Sequence, residues 1–137
     1  MKRGFEVQVL ERTGELREVG AGVQLSANAV RALYQLGVGE ALRAVASEPD
    51  GKCFRLWNTG QTWQLFDFGA QSSTQYGYPY FTLYRADLHR VLVDAVQAQR
   101  AGAIRLNAAV SDVAQTASGV TVRLDDGTQL AADVLIG

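Results

Sequence analysis

The sequence predicts an α/β fold in which a layer of strands and helices joins a β-rich segment, on three observations. Phe5, Val7 and Val9 alternate with Glu6 and Gln8, the two-residue period of a strand. Leu88, Val91, Leu92, Ala95 and Val96 recur at the i, i+3, i+4, i+7, i+8 positions of an amphipathic helix. From Ile104 onward, short β-rich runs are separated by the turn formers Ser118-Gly119 and Asp125-Asp126-Gly127.

Taken in order, residues 5–12 read as a strand entering a buried sheet, with Leu10 adding an apolar side chain just before Glu11. Glu11 stands at the carboxyl end of that strand. In an open α/β sheet this is the edge where ligands sit, and an acid there can accept the hydroxyl protons of a ribose. Taken alone, such a carboxylate is more often a solvated strand end. After the loop Gly20-Ala21-Gly22-Val23-Gln24-Leu25-Ser26, Ser26 is expected to cap a helix over residues 27–36, and Gly37 tolerates the positive φ that follows it. A second helix is expected over 40–46, closed by Pro49. Residues 53–68 read as a β-hairpin around Asn58-Thr59-Gly60, with Phe54, Leu56, Trp63, Leu65 and Phe66 as packing surface.

Residues 69–79 read as a loop rich in Gln, Ser, Tyr and Gly. Tyr76, Tyr78 and Tyr80 near its end could wall a flat ligand, although packing at a strand entry is the commoner role of such a cluster. Residues 81–84 form a strand that delivers Arg85, and the amphipathic helix occupies 86–100, ending near Gly102. Strands are expected at 104–106, 109–116, 120–124 and 128–130, a β-meander, and a continuous apolar strand begins at Val134-Leu135-Ile136.

A chain of 137 residues is one ordinary domain, and an apolar content of 47% is that of a globular protein. Thirteen basic against fourteen acidic residues leave a net charge of −1, no footprint for nucleic acid or an anionic membrane surface. No apolar run approaches the roughly 20 residues of a membrane span. One cysteine excludes an internal disulfide framework, so the expected setting is reducing and cytoplasmic, and the basic start Met1-Lys2-Arg3-Gly4 leads into a strand and not into a signal-peptide core. Cys53 lacks a second cysteine or nearby histidine and reads as a buried small apolar residue. His89, the only histidine, lies off the apolar stripe of its helix and reads as solvated. No Ser/His/Asp set and no metal site are visible.

Four ordered motifs carry a resemblance. They are Val9-Leu10-Glu11-Arg12, the glycine loop continuing through Ala27-Asn28-Ala29, Tyr84-Arg85-Ala86-Asp87-Leu88-His89, and Ala132-Asp133-Val134-Leu135-Ile136-Gly137. Together they resemble the FAD-dependent aromatic hydroxylases, in particular the salicylate and 6-hydroxynicotinate monooxygenase branch, over essentially the whole chain. The resemblance implies a partial Rossmann-like FAD-binding domain. In that family a strand, a Gly-rich phosphate turn and a helix precede the stretch corresponding to Lys2-Arg3-Gly4. A substrate-binding part and a second FAD motif follow the strand ending at Gly137. None of these lies within the 137 residues, so the sequence reads as an internal piece of the FAD-binding domain.

The resemblance also implies roles. Glu11 would bind the adenosine ribose and Arg12 would lie beside the adenine or its phosphate side. Gln24 matches a position that approaches flavin and substrate, where some relatives carry a histidine proposed as a base; an amide does not titrate near neutral pH and cannot do that job. Arg85 matches an arginine that contacts the cofactor, and its fork of donors suits a phosphate or ribityl chain. The backbone at Val110 would touch the adenine end. The implied chemistry is hydroxylation of a small aromatic substrate with FAD as cofactor and NAD(P)H and dioxygen as co-substrates. Two alternatives stand beside it: another flavin-dependent oxidoreductase on the same cofactor domain, or a truncated domain without catalysis. Without the phosphate turn, FAD affinity is expected to be weak or absent and the chain inactive alone. Without the first strand, the strands containing Val7 and Val134 would present open apolar edges, and self-association is expected.

Overall fold

In a computed structural model of the chain, the structure describes residues 3–16, 20–68 and 70–137. In chain order the elements are β1 (Val9–Leu10), β2 (Gly22–Leu25), α1 (Ala27–Gln35), α2 (Gly39–Arg43), β3 (Gly51–Arg55), β4 (Thr62–Asp67), α3 (Ala70–Tyr76), β5 (Phe81–Tyr84), α4 (Arg85–Gln99), β6 (Ile104–Arg105), β7 (Val110–Thr116), β8 (Gly119–Leu124) and β9 (Gln129–Ala132). They fall into two compact units, one of Met1–Arg17 with Val96–Gly137 and one of Glu18–Ala95.

The Glu18–Ala95 unit is built on the antiparallel pair β2–β5, in register from Gly22↔Tyr84 to Leu25↔Phe81. Side chains alternate across a strand, so the register sorts them into two faces. Val23, Leu25, Phe81 and Leu83 share one face and pack with Val30 of α1 and Leu42 of α2 into the core, where Val30, Leu42 and Phe81 are fully buried. Gly22, Gln24, Thr82 and Tyr84 fall on the opposite face. The strand alternation that makes the core therefore also turns Gln24 away from it.

α1 begins where the sequence places it. Ser26 has the extended backbone of an N-cap and its carbonyl accepts from the Val30 amide, but its hydroxyl donates to Asn28 Oδ1 and makes no cap bond. At the other end Gly37 adopts φ 81°, the left-handed conformation a non-glycine residue resists. α2 ends at Arg43, and the Val45 amide closes onto Leu42 in a tighter turn, so it is shorter than 40–46.

β3 and β4 pair antiparallel across the turn at residues 56–61, with Phe54 opposite Trp63 and Cys53 opposite Gln64. Cys53 is exposed, against the expectation of burial, as are the rest of β3 after Gly51 and all of β4, Phe54, Trp63, Leu65 and Phe66 included. The expected loop over 69–79 is corrected by α3, while Gly69 lies outside the described residues. Ser and Thr argue against helix chiefly by competing for backbone groups. Here Ser72 is buried and its hydroxyl donates to the Tyr78 carbonyl at 3.3 Å, beyond the helix end, while the Gly77 amide closes the last turn on Ser73.

In the other unit, β1 and β6 are parallel, Val9 opposite Ile104, and β7, β8 and β9 form an antiparallel sheet with β8 in the centre. Val120, Val122 and Leu124 alternate on the buried face of β8 and pack with Ala108, Leu10 and Leu130. Two expectations are corrected in this unit. The strand at 5–12 contracts to β1, with Phe5, Val7 and Val9 exposed, and Val134-Leu135-Ile136 forms no strand, Ile136 being 91% exposed. Alternation alone does not make a strand, since each edge needs a partner, and among the described residues β1 has only the two-residue β6.

Candidate functional site

The first cluster grows from the end of β1. The Glu11 amide donates to the Arg105 carbonyl at 2.9 Å, the Ala108 amide donates to the Glu11 carbonyl at 2.8 Å, and the Asn107 amide donates to the Thr13 carbonyl at 3.0 Å. These bonds continue the parallel pair beyond β1 and hold the Glu11–Thr13 turn against residues 105–108. Asn107 takes φ 52° to make that approach, the only non-glycine positive φ among the described residues. On this backbone the Glu11 carboxylate is half-buried, and its Oε1 accepts from the Thr13 amide at 2.8 Å and the Thr13 hydroxyl at 2.9 Å. The Thr13 amide first, then its hydroxyl, hold the carboxyl below its usual range, with a smaller contribution from the Arg12 charge. Arg12 is exposed beside it, and Val110, exposed, opens β7 two residues after Ala108. Glu11, Arg12 and Val110 thus belong to one unit and are tied through the 105–110 segment.

The second cluster sits on the outward side of β2–β5. Arg85 is exposed at the first position of α4, and its amide donates to the Ala21 carbonyl at 2.9 Å, fixing the start of the helix to the start of β2. Gln24 lies further along the same pair, opposite Thr82, and its Oε1 accepts from the Tyr80 hydroxyl at 2.8 Å. Tyr80 stacks on Phe68, with centroids 4.2 Å apart and planes at 3°, and Phe68 stacks on Phe66 in turn. This aromatic ladder lines an open cleft of about 540 Å³ between Ser26, Asn28, Ser72 and Tyr76. Tyr78 instead packs on Tyr34 at the core, the ordinary role of such a ring. His89 is half-buried.

Sequence reasoning missed Thr13 and the pairing of Gln24 with Tyr80. A Glu-x-Thr spacing at a strand end is the signal that could have found the first, since a hydroxyl two residues on is within reach of a local acceptor. The second joins residues 56 apart in the chain and leaves no local trace. No group of three or more His, Cys, Asp or Glu that could hold a metal occurs among the described residues. Nor, among them, is any helix long and apolar enough to cross a membrane.

The chain belongs to the FAD binding domain family, whose model matches residues 1–137. It is 34% identical over 137 residues to 3-amino-4-hydroxybenzoate 2-monooxygenase PtnB3 of Streptomyces platensis, covering 100% of this chain and 34% of that protein. To the 3-hydroxybenzoate 6-hydroxylase of Klebsiella oxytoca it is 36% identical over 136 residues, covering 99% and 34%. The chain thus spans about one third of the length of the curated relatives it matches. Among solved structures, the tetrameric form of 2-methyl-3-hydroxypyridine-5-carboxylic acid oxygenase superposes with TM-score 0.76 at 27% identity, over 97% of this chain and 32% of that one. Klebsiella pneumoniae HpxO, solved with FAD and uric acid, superposes with TM-score 0.77 at 21% identity over 97% and 32%, a likeness of fold alone.

Proposed function

We propose that the chain is part of the FAD-binding domain of a monooxygenase that hydroxylates a small aromatic substrate with NAD(P)H and dioxygen. The observation that carries this reading is the Glu11 carboxylate at the carboxyl end of a parallel strand, with Oε1 alone engaged among the described residues. The remaining carboxylate oxygen is an acceptor, and a fixed acceptor is what the hydroxyls of an adenosine ribose ask for. Arg85 and Arg12 supply cationic donors for phosphate or ribityl oxygens, and the backbone at Val110 touches the adenine end. Bound there, the flavin supplies electron transfer from NAD(P)H and activation of dioxygen. Gln24, held by Tyr80, can orient a polar group but cannot take a proton from the substrate, so any base of the reaction lies elsewhere.

The finer architecture belongs to the same proposal: a partial Rossmann-like layer, with β3–β4 as its hairpin and β7–β9 as its β-meander, working in the cytoplasm. Exposed Val7, Val9, Val134 and Ile136 favour self-association of the isolated chain, without nucleic acid or membrane as partner.

A chimera tests the function. In the Klebsiella oxytoca hydroxylase, the matching third is replaced by this chain, and the product is assayed for bound FAD and for NAD(P)H- and dioxygen-dependent hydroxylation. The proposal expects bound FAD that Glu11→Gln weakens. A folded chimera that holds no FAD would contradict it.

A further inference from the structure

We propose that Thr13 is a positioning residue: by engaging Oε1 of Glu11 with both its amide and its hydroxyl, it presents Oε2 to the hydroxyls of a ribose. The proposal rests on the reading of Glu11 as the ribose acceptor.

The geometry has two levels. The backbone of the turn is fixed from outside, because Glu11 and Thr13 bond through their backbones to Arg105, Ala108 and Asn107 at 2.8–3.0 Å. The carboxylate is then fixed from inside, since the Thr13 amide and hydroxyl converge on one oxygen at 2.8 and 2.9 Å. A glutamate side chain otherwise has three rotatable bonds and loses that freedom on gripping a ligand. Two donors on Oε1 remove much of the freedom beforehand and leave the other oxygen as the acceptor. The Thr13 hydroxyl has one proton and two acceptors in reach, Glu11 Oε1 at 2.9 Å and the Glu15 carbonyl at 2.8 Å. The charged acceptor makes the stronger bond, so the proton goes to the carboxylate while it is ionised. The lowered titration range of Glu11, caused first by the Thr13 amide and next by its hydroxyl, agrees with this. Thr13 is exposed, and among the described residues its side chain makes its bonds only within this turn.

Three variants separate the roles. Thr13→Val keeps shape and amide but loses the hydroxyl, Thr13→Ser keeps the hydroxyl, and Glu11→Gln removes the charge. Two readouts are taken by NMR on the 137-residue chain: the pH titration of the Glu11 side-chain carboxyl carbon, and titrations with adenosine and with 2′,3′-dideoxyadenosine. Thr13→Val should raise the Glu11 titration midpoint and weaken adenosine about threefold to tenfold, the size of one net hydrogen bond. Dideoxyadenosine should not respond, and Thr13→Ser should behave as wild type. If Glu11→Gln weakens adenosine but Thr13→Val does not, the positioning role of Thr13 is overturned and the ribose reading stands. If Glu11→Gln leaves adenosine unchanged, the ribose reading fails and takes this proposal with it.

Discussion

Phe81→Ala should damage the β2–β5 pair more than any surface change. Phe81 is fully buried, faces Leu25 across the register, and packs with Val30, Leu42 and Leu83. Truncating a buried phenylalanine to alanine costs about 3–5 kcal/mol, the lost transfer energy plus the cavity left behind. Native domains hold only about 5–15 kcal/mol in total, so this is a large share. With a urea dependence of about 2 kcal/mol per molar, the midpoint falls by about 1.5–2.5 M. Circular dichroism at 222 nm follows the transition. Trp57→Ala is the matched control, a larger side chain removed from a position 95% exposed, and should stay within about 0.5 kcal/mol. The site responds as well, because the same register carries Gln24 and ties the Arg85 amide to Ala21. Hydrogen exchange at the Arg85 amide should accelerate with the loss of stability. A midpoint shift for Phe81→Ala no larger than that for Trp57→Ala would refute the placement of this core.

Two further outcomes follow from surface groups. The Asp126 carboxyl is held below its usual range by the Thr128 hydroxyl and amide and by Arg105, whose guanidinium lies 3.2 Å away. A depressed folded value means that the unfolded chain binds the proton first on acidification. Its stabilisation is therefore complete above the ordinary aspartate range, near pH 4, and lost as pH falls through the folded value. Wild type should exceed Asp126→Asn in unfolding free energy at pH 7, with the gap closing on acidification; a gap independent of pH would count against the interaction. Val7→Lys with Ile136→Lys should raise the monomer fraction seen by light scattering at several concentrations, because both positions are apolar and exposed. An isolated chain already monomeric at the highest concentration would remove the basis for association.

What the sequence disclosed, and what it hid, divides along one physical line. α4 was legible because its apolar residues repeat at helical spacing, and α1 because Gly37 marks its end. Both signals are local. The strand at Phe5–Arg12 was overread because alternation says which face is apolar and not whether an edge finds a partner; only Val9 and Leu10 pair. Val134-Leu135-Ile136 was overread for the same reason. α3 was missed because Ser72 and its neighbours look like loop formers until the Tyr78 carbonyl takes the Ser72 hydroxyl. At the site, Glu11 was readable from its place after an apolar run, whereas its clamp by Thr13 and the Gln24–Tyr80 bond are matters of geometry.

The proposal that Glu11 and Arg85 each contact FAD is tested most directly by titrating the isotopically labelled 137-residue chain with FAD and following every amide by NMR. The account predicts saturable shifts around Glu11–Thr13 and around Ala21 and Arg85. Affinity should be about two to four decades below that of a protein whose glycine-rich turn also grips the pyrophosphate, the equivalent of two charge-assisted contacts. Glu11→Gln should abolish the first set of shifts. A folded chain whose amides at Glu11 and Arg85 do not respond to millimolar FAD, or one that forms a tight stoichiometric complex unaffected by Glu11→Gln, would contradict it.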